Sequence, residues 1–333
     1  MLSPIYFVLP LCVFILAIFV LNRGAIKMDG NFIFGAFSLA YAVFIFPMVG
    51  DYGTYLNFIL SGIIILVLPS LLSSMTAIRY SVNVWVLWGI ISLYVVEATY
   101  RILNPIVKTS MLEKQDESLM FYQYKYNSIM FVDSNFVAFS LISLLFIVDS
   151  FFHKEKVKKL FVIAIVILIT LTFSRAAYIS LVAYLFIKHA TRSQKIYLFI
   201  LMSIVASFVL PLILSDGSYL SKLDIIDSFL IYFEQADVIM LLFGAGIGRA
   251  IDFLHIGAHN IFVLLNVEFG FIAFLWYCAF VVFNIYKSKY KTMPYWIAIN
   301  LCGFSLGAIY PFVFLAALLP AYLNTRGSNE LDL

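Results

Sequence analysis

Charged residues are scarce in this chain. Only 12% of its 333 residues are charged and 64% are hydrophobic, whereas about 25% of the residues of soluble domains are charged. A soluble protein of this length could not remove so much apolar surface from water. The composition therefore excludes a soluble domain and predicts an integral membrane protein. We expect no nucleic-acid partner.

Cysteine is scarce as well. Cys12, Cys278 and Cys302 lie inside apolar segments, far apart in the sequence. They form no disulfide pattern and give no indication of a metal site. The first apolar segment has neither a basic region before it nor a small-residue cleavage site after it. We therefore expect this segment to be retained as a helix rather than removed as a signal peptide.

Long apolar runs dominate instead. Several approach the roughly 20 residues that a helix needs to cross a bilayer, and they are continuous rather than alternating, which favours helices over strands. We predict an all-α, polytopic membrane protein with one transmembrane domain over residues 1–333 and about eleven spans (roughly ten to twelve). The clearest runs are Ile5–Leu21, Asn31–Gly50, Tyr55–Leu72, Phe136–Phe152, Ile196–Leu214 and Ile261–Tyr286.

Lys and Arg are unevenly distributed among the connections between these runs. Every second connection belongs to a set that holds two thirds of the 21 Lys and Arg residues. Since cytoplasmic connections are the richer ones, we assign that set to the cytoplasm, with the amino terminus outside. These inner connections are Asn22–Gly30, Ser74–Ser81, His153–Lys159, Lys188–Lys195, Lys287–Lys291 and the tail after Leu323. The outer connections are Met1–Pro4, Asp51–Thr54, Tyr100–Ser134, Ser174–Arg175, Ser215–Asn260 and the Tyr310–Pro311 corner.

One stretch tests this scheme. Leu160–Phe173 and Ala176–Ile187 form either one long helix or a hairpin, and the charge distribution favours the hairpin. Its first arm would rise only about 21 Å, against a hydrocarbon core of about 30 Å. Arg175 would then lie at the tip, below the membrane surface, where it either faces a polar cavity or an anion or extends to the lipid headgroups.

Two outer connections are large. The first, Tyr100–Ser134, is rich in tyrosine. The second, Ser215–Asn260, contains apolar residues at helical spacing that predict an amphipathic helix on the membrane face. They are Leu223, Ile226, Leu230 and Phe233.

The second connection continues with three glycines and two histidines. Gly244, Gly246 and Gly248 favour a turn over a nucleotide site, because the strand and the lysine of a phosphate-binding loop are missing. Asp252, His255 and His259 would share one face of a helix and form a weak metal pattern, but Gly257 disfavours that helix.

Taken in order, these motifs resemble those of the O-antigen ligase and polymerase superfamily, over roughly Tyr122–Phe283. The most specific match is His259–Phe271, which is similar to the His-Asn…Glu-x-Gly signature of that superfamily. Three weaker matches precede it: Phe131–Asn135 resembles its Asp/Asn-x-Asn motif, Thr172–Ala177 its Ser-Arg-small motif and Leu242–Gly248 its Gly-x-Gly-x-Gly segment.

The resemblance implies a membrane-embedded glycosyltransferase with a C-type fold. It would be metal-independent, without a cofactor, and would use an undecaprenyl-pyrophosphate-linked glycan as donor. It would lie in the bacterial inner membrane with its active site facing the periplasm or exterior, and a chain-length regulator and a flippase would be its partners. Membrane lipid surrounds such a protein.

The expected site residues follow from the motifs and from their chemistry. His259 would act as the base that accepts a sugar hydroxyl proton, and Arg175, Arg249 and Lys222 would stabilise the departing pyrophosphate. Inversion is expected, because paired carboxylates that would suggest a covalent sugar intermediate are missing. The catalytic residues would be His259, Arg175 and Arg249, and the substrate-binding residues Lys222, His255, Asn260, Asp133, Asn135, Lys125 and Glu268.

Two of these residues depart from the superfamily pattern. Lys222 and Lys125 stand where arginine is usual, and an ammonium group contacts phosphate less specifically than a guanidinium. Glu268 lies about 13 Å beyond His259 along a helix; it is either structural or chemical.

Three functions remain open. A polymerase would join lipid-linked repeat units into O-antigen or capsular-type polysaccharide, and a ligase would transfer a finished glycan to lipid A core. We favour the polymerase because the chain is short for the superfamily. A flippase or other transporter is the alternative from a different class, but the candidate residues gather on one side rather than at the bilayer midplane.

Overall fold

The computed structural model describes residues 28–74, 84–106, 123–131, 133–151, 155–189, 191, 193–194, 217–306 and 309–327. These residues form α-helices and one short 3-10 helix, Phe46–Met48, and no strand occurs among them. The predicted spans Ile5–Leu21 and Ile196–Leu214 lie outside the described residues. The helices are α1 (Gly30–Ile45), α2 (Tyr52–Ser74), α3 (Val84–Leu103), α4 (Ser134–Phe151), α5 (Glu155–Thr170), α6 (Arg175–His189), α7 (Gly217–Gln235), α8 (Val238–Phe243), α9 (Ala250–Leu254), α10 (Ile261–Lys287), α11 (Met293–Gly303) and α12 (Pro311–Gly327).

The all-α prediction is confirmed for the described part of the chain. Four helical stretches are long and apolar enough to cross a membrane: Gly30–Met48, Tyr52–Leu72, Val84–Leu103 and Ile261–Lys287. The apolar helix α4 is shorter. The total of about eleven spans and the C-type fold stay predictions.

Helix α4 forms the centre of the core. Val137, Ile142 and Val148 are almost completely buried, and α4 contacts α5, α6, α11 and α12. These four helices therefore cover much of the surface of α4.

The predicted hairpin is confirmed. Helix α5 ends at Thr170, a turn follows, and α6 begins at Arg175. Within the turn, Phe173 has a φ of 53°. At the far ends of the arms, Lys158 lies 2.7 Å from the Asp149 carboxylate and Lys188 contacts the same carboxylate. The two arms therefore run antiparallel.

The outer connections that fall in the described part, together with the residues next to them, contact one another. These contacts bring them to one end of the helical bundle. The pairs are Gly50 N to Ile247 O at 2.7 Å, the Arg101 guanidinium to Leu171 O at 3.0 Å, Ser134 Oγ to Thr172 O at 2.7 Å, and the rings of Phe131 and Tyr310 at 6.2 Å.

Two inner connections also contact each other. Lys287 Nζ lies 2.6 Å from the Asp29 carboxylate, which also caps α1 by accepting the backbone N–H groups of Asn31 and Phe32. The grouping of the connections into two sets is therefore consistent with these contacts. The assignment of either end to the cytoplasm stays a prediction.

Helix α10 is interrupted at Gly270. This residue has a φ of 78° and a ψ of 171° inside a helix of 27 residues. The glycine-rich segment crosses α10 at this point, and Ala245 N donates a hydrogen bond to Val267 O at 2.7 Å. A Cβ on Gly270 would collide with the carbonyl oxygen of Leu242. Glycine is required here both by the backbone conformation and by the close approach.

We expect Gly270→Ala to destabilise the protein by about 1–3 kcal/mol, because alanine would be strained at this φ and would also clash. Gly89→Ala is the matched control, since Gly89 lies in α3 with no atom within 4 Å of an added Cβ. Thermal unfolding of the purified protein in detergent measures both variants. Equal unfolding temperatures for the two variants would contradict the prediction.

Candidate functional site

Three predicted residues form a cationic cluster: Lys125, Asp133 and Arg175. Lys125 Nζ lies 3.9 Å from a carboxylate oxygen of Asp133. Burial lowers the pKa of Lys125, the Asp133 charge raises it, and the Arg175 charge lowers it again, for a net lowering. Arg175 is the exposed first residue of α6. Lys125 thus lies near one carboxylate and one other cation.

Backbone contacts build this cluster from two separate connections. Ser134 N donates to Lys125 O at 3.0 Å, and Ser134 Oγ donates to Thr172 O at 2.7 Å in the hairpin turn. The rings of Tyr124 and Phe173 add a contact at 5.7 Å. The first outer connection is therefore attached to the turn that carries Arg175.

Asn135 forms a backbone hydrogen bond with the Asp133 side chain. Its backbone N–H donates to Asp133 Oδ1 at 2.8 Å, as in a helix N-cap, at the start of α4. Asn135 itself is 7% exposed. Its contribution is thus to orient Asp133, and the predicted role in binding substrate stays a prediction.

A buried ion pair lies directly behind the cationic cluster. Glu97 and Arg101, one turn apart in α3, are both 0% exposed, and Arg101 Nε lies 2.9 Å from Glu97 Oε1. Arg101 also donates to Tyr124 O at 2.6 Å and to Leu171 O at 3.0 Å. The sequence analysis did not select these residues. The sequence does contain an indication of this pair: an acidic and a basic residue lie four positions apart at the end of an apolar segment.

The glycine-rich segment lies against the connection between α1 and α2. Asp51 N donates to Ile247 O at 3.0 Å, as Gly50 N does. Gly248 packs so closely on Asp51 that a side chain there would collide with it. The predicted turn is therefore present, and it is held by backbone contacts on both sides.

Glu268 binds this segment from α10. Its Oε1 accepts a hydrogen bond from Ala250 N at 3.4 Å, and its side chain is buried. This contact favours the structural interpretation of Glu268. Arg249, next to Ala250, forms an exposed pair with Asp252 at 3.6 Å, and such exposed pairs contribute little to stability.

Asp51 is a second acidic residue that the sequence analysis passed over. Burial opposes its ionisation, but hydrogen bonds from the Thr54 hydroxyl and from the amides of Gly53 and Thr54 outweigh burial and lower the pKa. Asp51 therefore remains an anion. Its charge, together with a larger effect of burial, raises the pKa of Tyr310.

Tyr310 lies between the parts of the candidate site. Its ring is 6.2 Å from the ring of Phe131 and 5.7 Å from that of Phe136, which flank Asp133 in sequence. It also lines a small apolar cavity with Ile261, the first residue of α10. Tyr310 thus contacts residues next to Asp133 on one side and lies near the start of α10, just after His259, on the other.

His259 and His255 are both exposed. His255 ends α9 with a φ of 55°, and α9 stops at Leu254. Asp252, His255 and His259 therefore share no helix, as Gly257 had suggested. Among the described residues, no group of three His, Cys, Asp or Glu side chains is arranged to hold a metal ion.

Asn260 and Lys222 have different surroundings. Asn260 caps α10, because its side-chain oxygen accepts from Phe262 N at 2.9 Å and from Val263 N at 3.3 Å. Asn260 thus places His259 at the start of α10. Lys222 lies on the exposed surface of α7, three residues before the buried Ile225.

The amphipathic helix is present as α7. Its Ile225 and Tyr232 pack on the protein and are 2% and 4% exposed. The predicted apolar face is exposed, as a helix on a membrane surface requires; contact with lipid stays a prediction. That face consists of Leu223, Ile226, Leu230 and Phe233.

Comparisons of the chain with protein-family models, with curated proteins and with solved structures found no match. The resemblance to the O-antigen ligase and polymerase superfamily therefore rests on the motifs alone.

We expect Asp133→Asn to lower the pKa of Lys125 further, because the Asp133 charge raises that pKa and asparagine keeps the helix cap. The pH midpoint of Lys125 acylation by an amine-reactive reagent, followed by peptide mass spectrometry, should shift to lower pH. Asp252→Asn, in the exposed pair with Arg249, should leave the midpoint unchanged. An upward shift for Asp133→Asn would contradict the assigned contact.

Proposed function

We propose that this protein is a polymerase that joins undecaprenyl-pyrophosphate-linked oligosaccharide repeat units at the outer face of the bacterial inner membrane. One observation carries the proposal: Lys125 and Arg175, from two outer connections, lie near each other, and Asp133 lies beside Lys125. Two neighbouring cations at a membrane surface suit a lipid-linked diphosphate.

The proposed reaction needs charge stabilisation and one proton transfer. Neutral His259 accepts the proton of a sugar hydroxyl on the acceptor, and the hydroxyl oxygen attacks the anomeric carbon of the donor glycan. A new carbon–oxygen bond forms while the bond from that carbon to the diphosphate oxygen breaks. The lipid diphosphate leaves with its negative charge next to Arg175, Lys125 and Arg249.

The other candidate residues support this reaction. Asp133 and Asn135 orient Lys125, and His255 and Asn260 lie on either side of His259 in sequence, where they would contact the acceptor. Lys222 on α7 would contact the diphosphate from the second outer connection. Glu268 would hold the segment that carries Arg249. Cationic side chains supply the positive charge, so the proposed mechanism requires no metal.

We expect His259→Ala and Arg175→Ala each to reduce product formation by at least about 100-fold, because each removes a group that acts in the transition state. Purified protein reconstituted with lipid-linked repeat units should yield a ladder of products, resolved by gel electrophoresis. His189→Ala, which changes an exposed histidine at the opposite end of α6, is the matched control and should retain the ladder.

The same experiment separates the competing functions. Transfer only to lipid A core would indicate a ligase, and movement of substrate across the bilayer without a new bond would indicate a transporter. Wild-type turnover by both His259→Ala and Arg175→Ala would show that the proposed site is wrong.

The orientation has its own test. In a variant whose native cysteines are replaced by serine, Glu234→Cys in α7 should react with a membrane-impermeant maleimide added outside intact cells. Lys289→Cys, in an inner connection, should react only after the membrane is permeabilised, because the richer Lys and Arg set is cytoplasmic. The reverse labelling pattern would invert the proposed topology.

A further inference from the structure

Arg101 is a buried charged residue with three hydrogen-bond acceptors. Its guanidinium is 0% exposed and donates to groups of three different segments. They are Glu97 Oε1 in α3 at 2.9 Å, Tyr124 O in the first outer connection at 2.6 Å and Leu171 O in the hairpin turn at 3.0 Å. The Glu97 carboxylate neutralises the buried guanidinium charge. The other donors of Arg101 bind the two backbone carbonyls and so join the segments to which these carbonyls belong.

The two carbonyl acceptors lie next to the cations of the proposed site. Tyr124 directly precedes Lys125, and Leu171 begins the turn that ends at Arg175. Ser134 connects the two segments directly, because its backbone N–H donates to Lys125 O and its hydroxyl donates to Thr172 O. The segments that carry Lys125 and Arg175 are therefore attached to each other through Ser134 and to α3 through the Arg101 guanidinium.

We propose that Arg101 is a positioning residue that holds the segments of Lys125 and Arg175 together, so that both cations can bind the same diphosphate. This inference rests on the proposed function for the identity of the ligand. Arg101 itself touches no substrate. It acts by fixing two backbone segments before the ligand arrives, which lowers the entropic cost of binding.

Lysine cannot replace Arg101 in this role. A guanidinium presents donors in a rigid planar fork, and here they point to three acceptors in different segments. An ammonium group is a point charge on a flexible stem and cannot maintain all of these contacts at once. Arg101→Lys therefore keeps the positive charge beside Glu97 and removes the connection.

The pH midpoint of Lys125 acylation reports on this arrangement directly. The net lowering of the Lys125 pKa depends on burial and on the nearby Arg175 charge, opposed by Asp133. When the segments separate, these influences weaken together. We expect the midpoint in Arg101→Lys to move upward, towards the ordinary lysine value. Inorganic pyrophosphate should protect Lys125 from acylation in the wild-type protein, at concentrations about tenfold lower than in the variant.

Tyr94→Phe is the matched control. It removes a partly buried hydrogen bond from α3 to α4, in which the Tyr94 hydroxyl donates to Ser140 Oγ at 2.8 Å, but leaves the contacts of Arg101 unchanged. A role of α3 that is only structural would make both variants behave alike. Ser134→Ala is the milder second variant, because it deletes only the side-chain bond to Thr172 O, and it should shift the midpoint upward by a smaller amount. If Arg101→Lys does not fold, an unchanged midpoint in Ser134→Ala would contradict the premise that attachment of the two segments sets the Lys125 midpoint.

The outcomes separate the two proposals. An unchanged Lys125 midpoint in Arg101→Lys, or an equal shift in Tyr94→Phe, would overturn the positioning role. If pyrophosphate fails to protect Lys125 in the wild-type protein, the diphosphate site on which the proposed function depends is contradicted. The midpoint comparison still decides the role of Arg101 in that case, since it requires no ligand.

Discussion

Charged side chains that leave water must be paired, and the described structure is organised around this requirement. Arg101 is buried at the end of a candidate membrane span, where an isolated charge would be very unfavourable. Glu97 neutralises it from the preceding turn of the same helix. The remaining donors must bind backbone carbonyls, and these come from the two segments that carry Lys125 and Arg175. A single desolvated group thus contacts all three segments.

A second constraint acts where α10 is interrupted. Backbone groups at membrane depth need partners inside the protein, and Gly270 breaks the regular helical pattern there. The glycine-rich segment supplies such a partner, because Ala245 N donates to Val267 O. Just after this segment, Ala250 N donates to the Glu268 side chain. Glu268 belongs to the stretch that resembles a catalytic signature. Its contact with Ala250 N gives it a structural role near the interruption.

The proposed chemistry depends on the difference between these two regions. Lys125 has a second cation, Arg175, in its neighbourhood, as the proposed diphosphate site would require. Around Glu268, the nearby Asp51 is a second carboxylate, and backbone amides provide the positive partners. Tyr310 lies between the two regions and stays protonated, because burial and the charge of Asp51 raise its pKa. A diphosphate is thus expected on the side of Arg175.

Much of this organisation is readable from the sequence, because it depends on local pattern. The helical class follows from continuous apolar runs, and the hairpin that carries Arg175 follows from the alternation of Lys and Arg among connections. The Asn260 cap at the start of α10 is a local signal of the same kind. These features involve neighbouring residues, or charges whose side of the membrane is set by the cost of crossing it.

Only the tertiary structure decided which distant segments meet. Arg101 binds carbonyls 23 and 70 residues away in sequence, and backbone carbonyls carry no mark of their partners in the sequence. The same holds for Tyr310, whose ring joins Phe131 and Phe136 across more than half of the chain. Such contacts depend on how whole helices pack. Residue type and spacing determined what each segment could do, whereas packing determined which segments act together.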